Sequence, residues 1–165
     1  MASSGKSKTA APKIRKASVV LVRTEWNAQV VDELYSGCKK KLFAEKANLV
    51  GDILVPGAFE IPFAIKKYWE ETKHSKTGRP EAFIALGCII RGDTPHFEYV
   101  CRAVTDGIVR LNLALPVPVI FGVLTVDNLE QARERTGGLH GHKGEEAAET
   151  ALKMISFCRN PGNLK

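Results

Sequence analysis

The chain has 165 residues, 44% of them hydrophobic, which is enough for one well-cored domain and too little for two. Its formal charge of +6 comes largely from Lys6, Lys8, Lys13, Arg15 and Lys16, in a start that carries no acidic residue, so the folded part is close to neutral and a nucleic-acid surface is not indicated. No stretch approaches the roughly 20 apolar residues of a membrane span, and the opening "MASSGKSKTAAPKIRK" has neither the apolar core of a secretory signal nor the arginines of a transit peptide. Residues 1–16 are therefore expected to form a disordered basic arm on a cytoplasmic protein. Cys38, Cys88, Cys101 and Cys158 show no paired CxxC spacing and fall in apolar or helical stretches, as reduced, buried thiols do.

The elements alternate between strand and helix. "ASVVLV" (17–22) is a β-branched run, and residues 27–46 place Val30, Val31, Leu34, Cys38 and Leu42 at helical spacing. A second strand over 49–55 stops at Pro56 and Gly57. A helix over 60–71 follows, with Ile61, Ile65, Tyr68 and Trp69 on one face and Pro62 in its first turn, where a missing N–H costs little. After the polar loop 72–80, "EAFIALGCII" (81–90) is apolar almost throughout, as a strand at the middle of a parallel sheet must be. A third helix starts near Pro95 and points Phe97, Val100, Cys101, Val104, Ile108 and Leu111 inward. A fourth strand over 117–126 and helices over 128–136 and 144–158 complete the chain. Four β-α steps with short connections predict a three-layer α/β/α sandwich on a four-stranded parallel sheet, one domain over 17–158 with a tail at 159–165.

Ligands of such folds gather beyond the carboxyl ends of the strands. Four segments occupy those ends: Trp26 and Asn27, "PGAFE" (56–60), "RGDTPH" (91–96) and the region following Phe121. Each has a plainer explanation when taken alone. Trp26 reads as a packing residue, Glu60 as an acidic first-turn residue, Asp93 and Thr94 as helix caps, and His96 as a solvated surface residue. Arg133 and Arg135 with Glu130 and Glu134 form a charged helix face, and His140 and His142 have no third ligand nearby to make a metal site.

Taken together, "PGAFEIP", "IIRGDTPHFEYV", "VPVIFGVLT", "EQARERTGG" and "HKG" follow one another in the order and spacing of the lumazine synthase signatures, and the chain resembles that family from about Ser18 to Ile155. The resemblance implies a flavodoxin-like fold. It also implies a transferase of riboflavin biosynthesis that condenses 5-amino-6-(D-ribitylamino)uracil with 3,4-dihydroxy-2-butanone 4-phosphate to 6,7-dimethyl-8-ribityllumazine, with no metal or organic cofactor.

By the same resemblance Trp26 stacks on the pyrimidine with Asn27 beside it. Gly57, Ala58, Phe59 and Glu60 receive the ribityl chain, and Cys88, Ile89 and Ile90 offer main-chain groups to the ring edge. The phosphate belongs near Gly92, Asp93, Thr94 and Arg135, and His96 moves protons. Phe121, Arg135 and Lys143 are expected from a neighbouring subunit of a homopentamer, a unit that in this family sometimes closes into an icosahedral 60-mer; riboflavin synthase is an expected partner. Pro95 replaces a second Thr common in the family and removes a hydroxyl and an N–H from the phosphate side. Two other classes stay open: a flavin carrier, which has no need of Arg135 or His96, and a structural shell protein, for which the compact "TGGLHGHKG" is suited.

Overall fold

The computed structural model describes Ile14 and residues 16–162. Most of the basic arm assigned to 1–16, and the last three residues of the tail, lie outside the described residues. The elements are β1 (Ser18–Thr24), α1 (Ala28–Ala44), β2 (Asn48–Val55), α2 (Ile61–Thr72), β3 (Ala82–Ile90), α3 (His96–Ala114), β4 (Val119–Val126), α4 (Leu129–Arg133), β5 (Thr136–Gly138), β6 (Gly141–His142) and α5 (Lys143–Arg159). A short 3₁₀ turn, Ala58–Glu60, precedes α2.

Four parallel strands form one sheet in the order β2-β1-β3-β4. The two-residue period of a strand divides β1 between two cores. Val19 and Leu21 join Val30, Leu34, Cys38, Leu42, Leu152 and Ile155 beneath α1 and α5. Val20 and Val22 join Ile61, Ile65, Trp69, Val104, Ile108 and Leu111 beneath α2 and α3. Helices on both faces of the parallel sheet make the three-layer sandwich the sequence predicts. Ala82 to Cys88 of β3 are all buried, as the continuous apolar run requires.

Several local expectations are overturned. The helix expected over 128–136 stops at Arg133, and β5 and β6 pair as a small antiparallel hairpin with Gly137 and Gly141 at positive φ. Neither Asp93 nor Thr94 caps α3; its N-cap is Pro95, with no side-chain cap. Phe121 does not stand at the end of β4, where the segment following it was expected to open onto the site. It is the third residue of a strand that runs on to Val126, because the apolar run past it stays within the sheet. Phe97 and Cys101 are only partly buried, and Cys158 is exposed, since it lies in the last turn of α5, beyond Ile155.

The contact that places α5 is a backbone approach to α1. A Cβ on Gly144 would stand 2.0 Å from the Leu34 carbonyl oxygen and 2.8 Å from its carbon, so no side chain fits unless the helices part. Gly144→Ala is expected to destabilise the protein by about 3 kcal/mol, the upper part of the range for overpacking, because the obstacle is main chain and cannot turn aside. Chemical unfolding at fixed protein concentration measures this. A loss below about 1 kcal/mol would mean that α1 and α5 separate freely.

Candidate active site

The ends of β1 and β2 continue side by side beyond the sheet: Glu25 N–H donates to Val55 O (2.9 Å) and Trp26 N–H to Pro56 O (3.2 Å). Asn27 then takes a left-handed conformation (φ 58°), a turn that Asn tolerates well, and α1 begins at the next residue. Its side chain is drawn inward, Nδ2 donating to Cys88 O at 2.8 Å. The adjacent indole is left outside: Trp26 is 74% exposed, which corrects the packing role its type suggested. The Gly57 amide donates to Glu60 Oε2 at 3.0 Å, and the Cβ position of Gly57 lies 4.0 Å from Trp26 Cδ1. The indole therefore borders the 56–60 turn, where Ala58 is buried and Phe59 and Glu60 face out.

β3 outruns β1. Its pairing with β1 ends at Arg23↔Leu86, whereas its pairing with β4 continues to Ile90↔Val126. Main-chain groups alternate sides along a parallel strand. Those of Ile90 therefore face the uncovered side with those of Cys88, while those of Ile89 face β4. Burial pushes the Cys88 thiol up to about 11, so it stays protonated at neutral pH and offers main chain rather than a thiolate.

Gly92, Asp93, Thr94 and the imidazole of His96, the first residue of α3, are exposed beside this strand end. The segment is braced by Arg91, to which sequence reasoning gave no role. Arg91 Nε donates to Asp127 Oδ1 (2.9 Å), its Nη1 donates to Glu98, and its guanidinium carbon lies 4.1 Å from the Phe97 ring centroid. That hydrogen bond holds the Glu98 carboxyl below its ordinary range.

A second group of residues lies elsewhere. Along β4 and the start of α5 runs a hollow of about 600 Å³ lined by Phe121, Arg135, Lys143, Glu146 and their neighbours. Arg135 Nη1 donates to Gln131 O at 2.7 Å, which orients the guanidinium. Lys143 Nζ donates to both carboxylate oxygens of Glu146 at 2.9 and 2.8 Å, partly balancing its charge. Glu146 was missed from sequence; its only signal is its place one helical turn beyond Lys143. Phe121 is 42% exposed at the wall of the hollow.

The structure thus brings Trp26, Asn27, the 56–60 turn and Cys88 together at one rim, with the 92–96 segment following from β3. Phe121, Arg135 and Lys143 come together in the hollow, none of whose lining residues belongs to the rim. Phe121 pairs with Ala85, three residues before Cys88, and so sits about 10 Å below the level of Cys88. The two histidines of the HxH diverge, His140 Nε2 reaching Glu134 Oε2 (3.5 Å) and His142 packing on α1. Among the described residues no group of three or more His, Cys, Asp or Glu is placed to hold a metal, and no helix is long and apolar enough to cross a membrane.

The family model described as 6,7-dimethyl-8-ribityllumazine synthase matches residues 16–159. Proteins named 6,7-dimethyl-8-ribityllumazine synthase are similar over most of their length. That of Parabacteroides distasonis is 42% identical over 150 residues, 88% of this chain and 89% of its own. That of Porphyromonas gingivalis is 46% identical over 137 residues, 82% of this chain and 81% of its own. That of Bdellovibrio bacteriovorus is 44% identical over 151 residues, 91% and 80% respectively. With this match across the whole sandwich, both walls included, the chain belongs to the 6,7-dimethyl-8-ribityllumazine synthase family.

Proposed function

We propose that the chain condenses 5-amino-6-(D-ribitylamino)uracil with 3,4-dihydroxy-2-butanone 4-phosphate to 6,7-dimethyl-8-ribityllumazine, releasing phosphate and water, at a site completed where two copies meet. The observation that carries the shared site is the separation of rim from cationic hollow within one chain. The exposed indole of Trp26 gives the pyrimidine a stacking face, and the main-chain groups that Cys88 and Ile90 turn to the uncovered flank suit its polar edge. Asn27 holds the rim against β3. Gly57, Ala58, Phe59 and Glu60 line the path of the ribityl hydroxyls.

The phosphate is assigned to two walls: the uncapped first turn of α3, with Gly92, Asp93 and Thr94, and Arg135 of the next copy. Lys143 is paired with Glu146, so Arg135 supplies most of the net positive charge. His96 accepts the proton that the amine sheds on adding to the ketone and returns protons during elimination and ring closure, a contribution of about 10² to 10⁴ in rate. Holding two substrates against each other contributes on a similar scale or more.

The working unit in this proposal is a homopentamer, with closure into an icosahedral 60-mer as a further step that light scattering detects. Large apolar side chains left exposed on the single chain, Phe63, Tyr99 and Leu113 among them, support self-association. Four free cysteines suit a reducing compartment, and the proposed location is the cytoplasm. Riboflavin synthase, as the consumer of the product, is the proposed partner.

Arg135→Ala is expected to raise the KM for the butanone phosphate about tenfold or more and to change that for the ribitylaminouracil less than about twofold. Steady-state kinetics varying each substrate in turn decides, and equal losses would show that Arg135 serves the other ligand.

Riboflavin or the lumazine product is expected to quench Trp26 and not Trp69, which lies on the buried face of α2. Titration of Trp26→Phe beside the parent protein separates them; quenching that survives the substitution would remove Trp26 from the stacking position.

Trp26→Ala/His96→Ala and Arg135→Ala/Lys143→Ala are each expected to be nearly inactive as pure assemblies. Unfolded, mixed and refolded together, they should regain part of the activity, because some junctions then pair two intact halves. Mixed assemblies verified by mass spectrometry that remain inactive would locate the whole site within one chain.

A further inference from the structure

We infer that His142 is the positioning residue for Arg135 and Lys143, fixing where both cations stand by seating its imidazole on the bare backbone of Gly37 in α1. The inference rests on the assignment of those cations to the phosphate.

His142 is the last residue of β6, directly before Lys143, and pairs with Thr136 directly after Arg135. The base of the hairpin is closed by Lys143 N–H donating to Arg135 O at 2.8 Å. Whatever holds His142 therefore holds both cations. What holds it is shape. A Cβ on Gly37 would lie 2.1 Å from Cε1, 2.4 Å from Nε2 and 2.6 Å from Nδ1 of the imidazole, so the ring occupies space that a side chain of any other residue would fill. Polar pairing does not explain the position: Nδ1 of His142 is the one buried side-chain nitrogen or oxygen among the described residues without a hydrogen-bond partner.

On the other side of Lys143, Gly144 meets the carbonyl of Leu34, one turn before Gly37 on the same face of α1. Lys143 is thus pinned from both sides against one helix, with the hollow in front of it. Without the seat on Gly37 the hairpin loses its lateral stop, and Arg135 loses its fixed distance from Lys143.

The test compares His142→Ala, Gly37→Ala, the double variant and Arg135→Ala. The readouts are the KM of each substrate, kcat and amide hydrogen exchange over residues 135–143. His142→Ala and Gly37→Ala are each expected to raise the KM for the butanone phosphate at least about fivefold, with that for the ribitylaminouracil within about twofold, and to speed exchange in the hairpin. The double variant should recover part of the loss of Gly37→Ala, since the ring that the new methyl strikes is gone. If Gly37→Ala does not assemble, His142→Ala decides alone.

A phosphate-substrate KM that His142→Ala leaves unchanged, while Arg135→Ala raises it, overturns the positioning role; so does an equal rise for both substrates. Should Arg135→Ala itself leave that KM unchanged, the phosphate assignment has failed, and hydrogen exchange decides. Faster hairpin exchange in His142→Ala then supports the seat on Gly37, and unchanged exchange overturns it.

Discussion

The unequal pairing of β3 is the constraint on which the site depends. Held by β1 only as far as Leu86 and by β4 as far as Ile90, the strand leaves four residues with one flank uncovered. Such a flank carries hydrogen-bonding groups that must find partners. Asn27 takes one of them, and that reach in turn requires the left-handed turn that throws Trp26 outward. The exposed indole, the open main chain and the loop leading to His96 are consequences of where β1 stops.

The other wall is organised by α1. This helix begins immediately after Asn27, and its Leu34 and Gly37 receive Gly144 and His142. One rigid element therefore connects the rim of a chain to the hollow of the same chain. If each active site draws on two copies, α1 lies between two neighbouring sites, and a displacement at either end is transmitted to the other by packed backbone.

The sandwich was legible because its signal is periodic and repeated. Val19 and Leu21 against Val20 and Val22, and the unbroken run from Ala82 to Cys88, leave little choice of element or layer. The hairpin was not legible, since "TGGLHGH" has no alternation and its pairing rests on glycine torsions. Glu146 could not be separated from Glu145 and Glu149 without the rotation of α5, which Gly144 against Leu34 and the buried face from Ala147 to Ile155 fix together. The exposure of Trp26 was not legible from its own segment, because burial is the usual fate of its type and nothing local reports a contact with a carbonyl sixty-one residues away.

β4 has no strand on its outer flank among the described residues, and the hollow runs along it. A bare flank of this kind invites addition of any passing extended segment, and proteins discourage that with charge. Arg135 and Lys143 stand beside it, and charge in that place opposes mispairing of the newly folded chain. Neutralising both would then harm the yield of soluble protein as well as turnover, so the charge of this wall bears on folding as well as on chemistry.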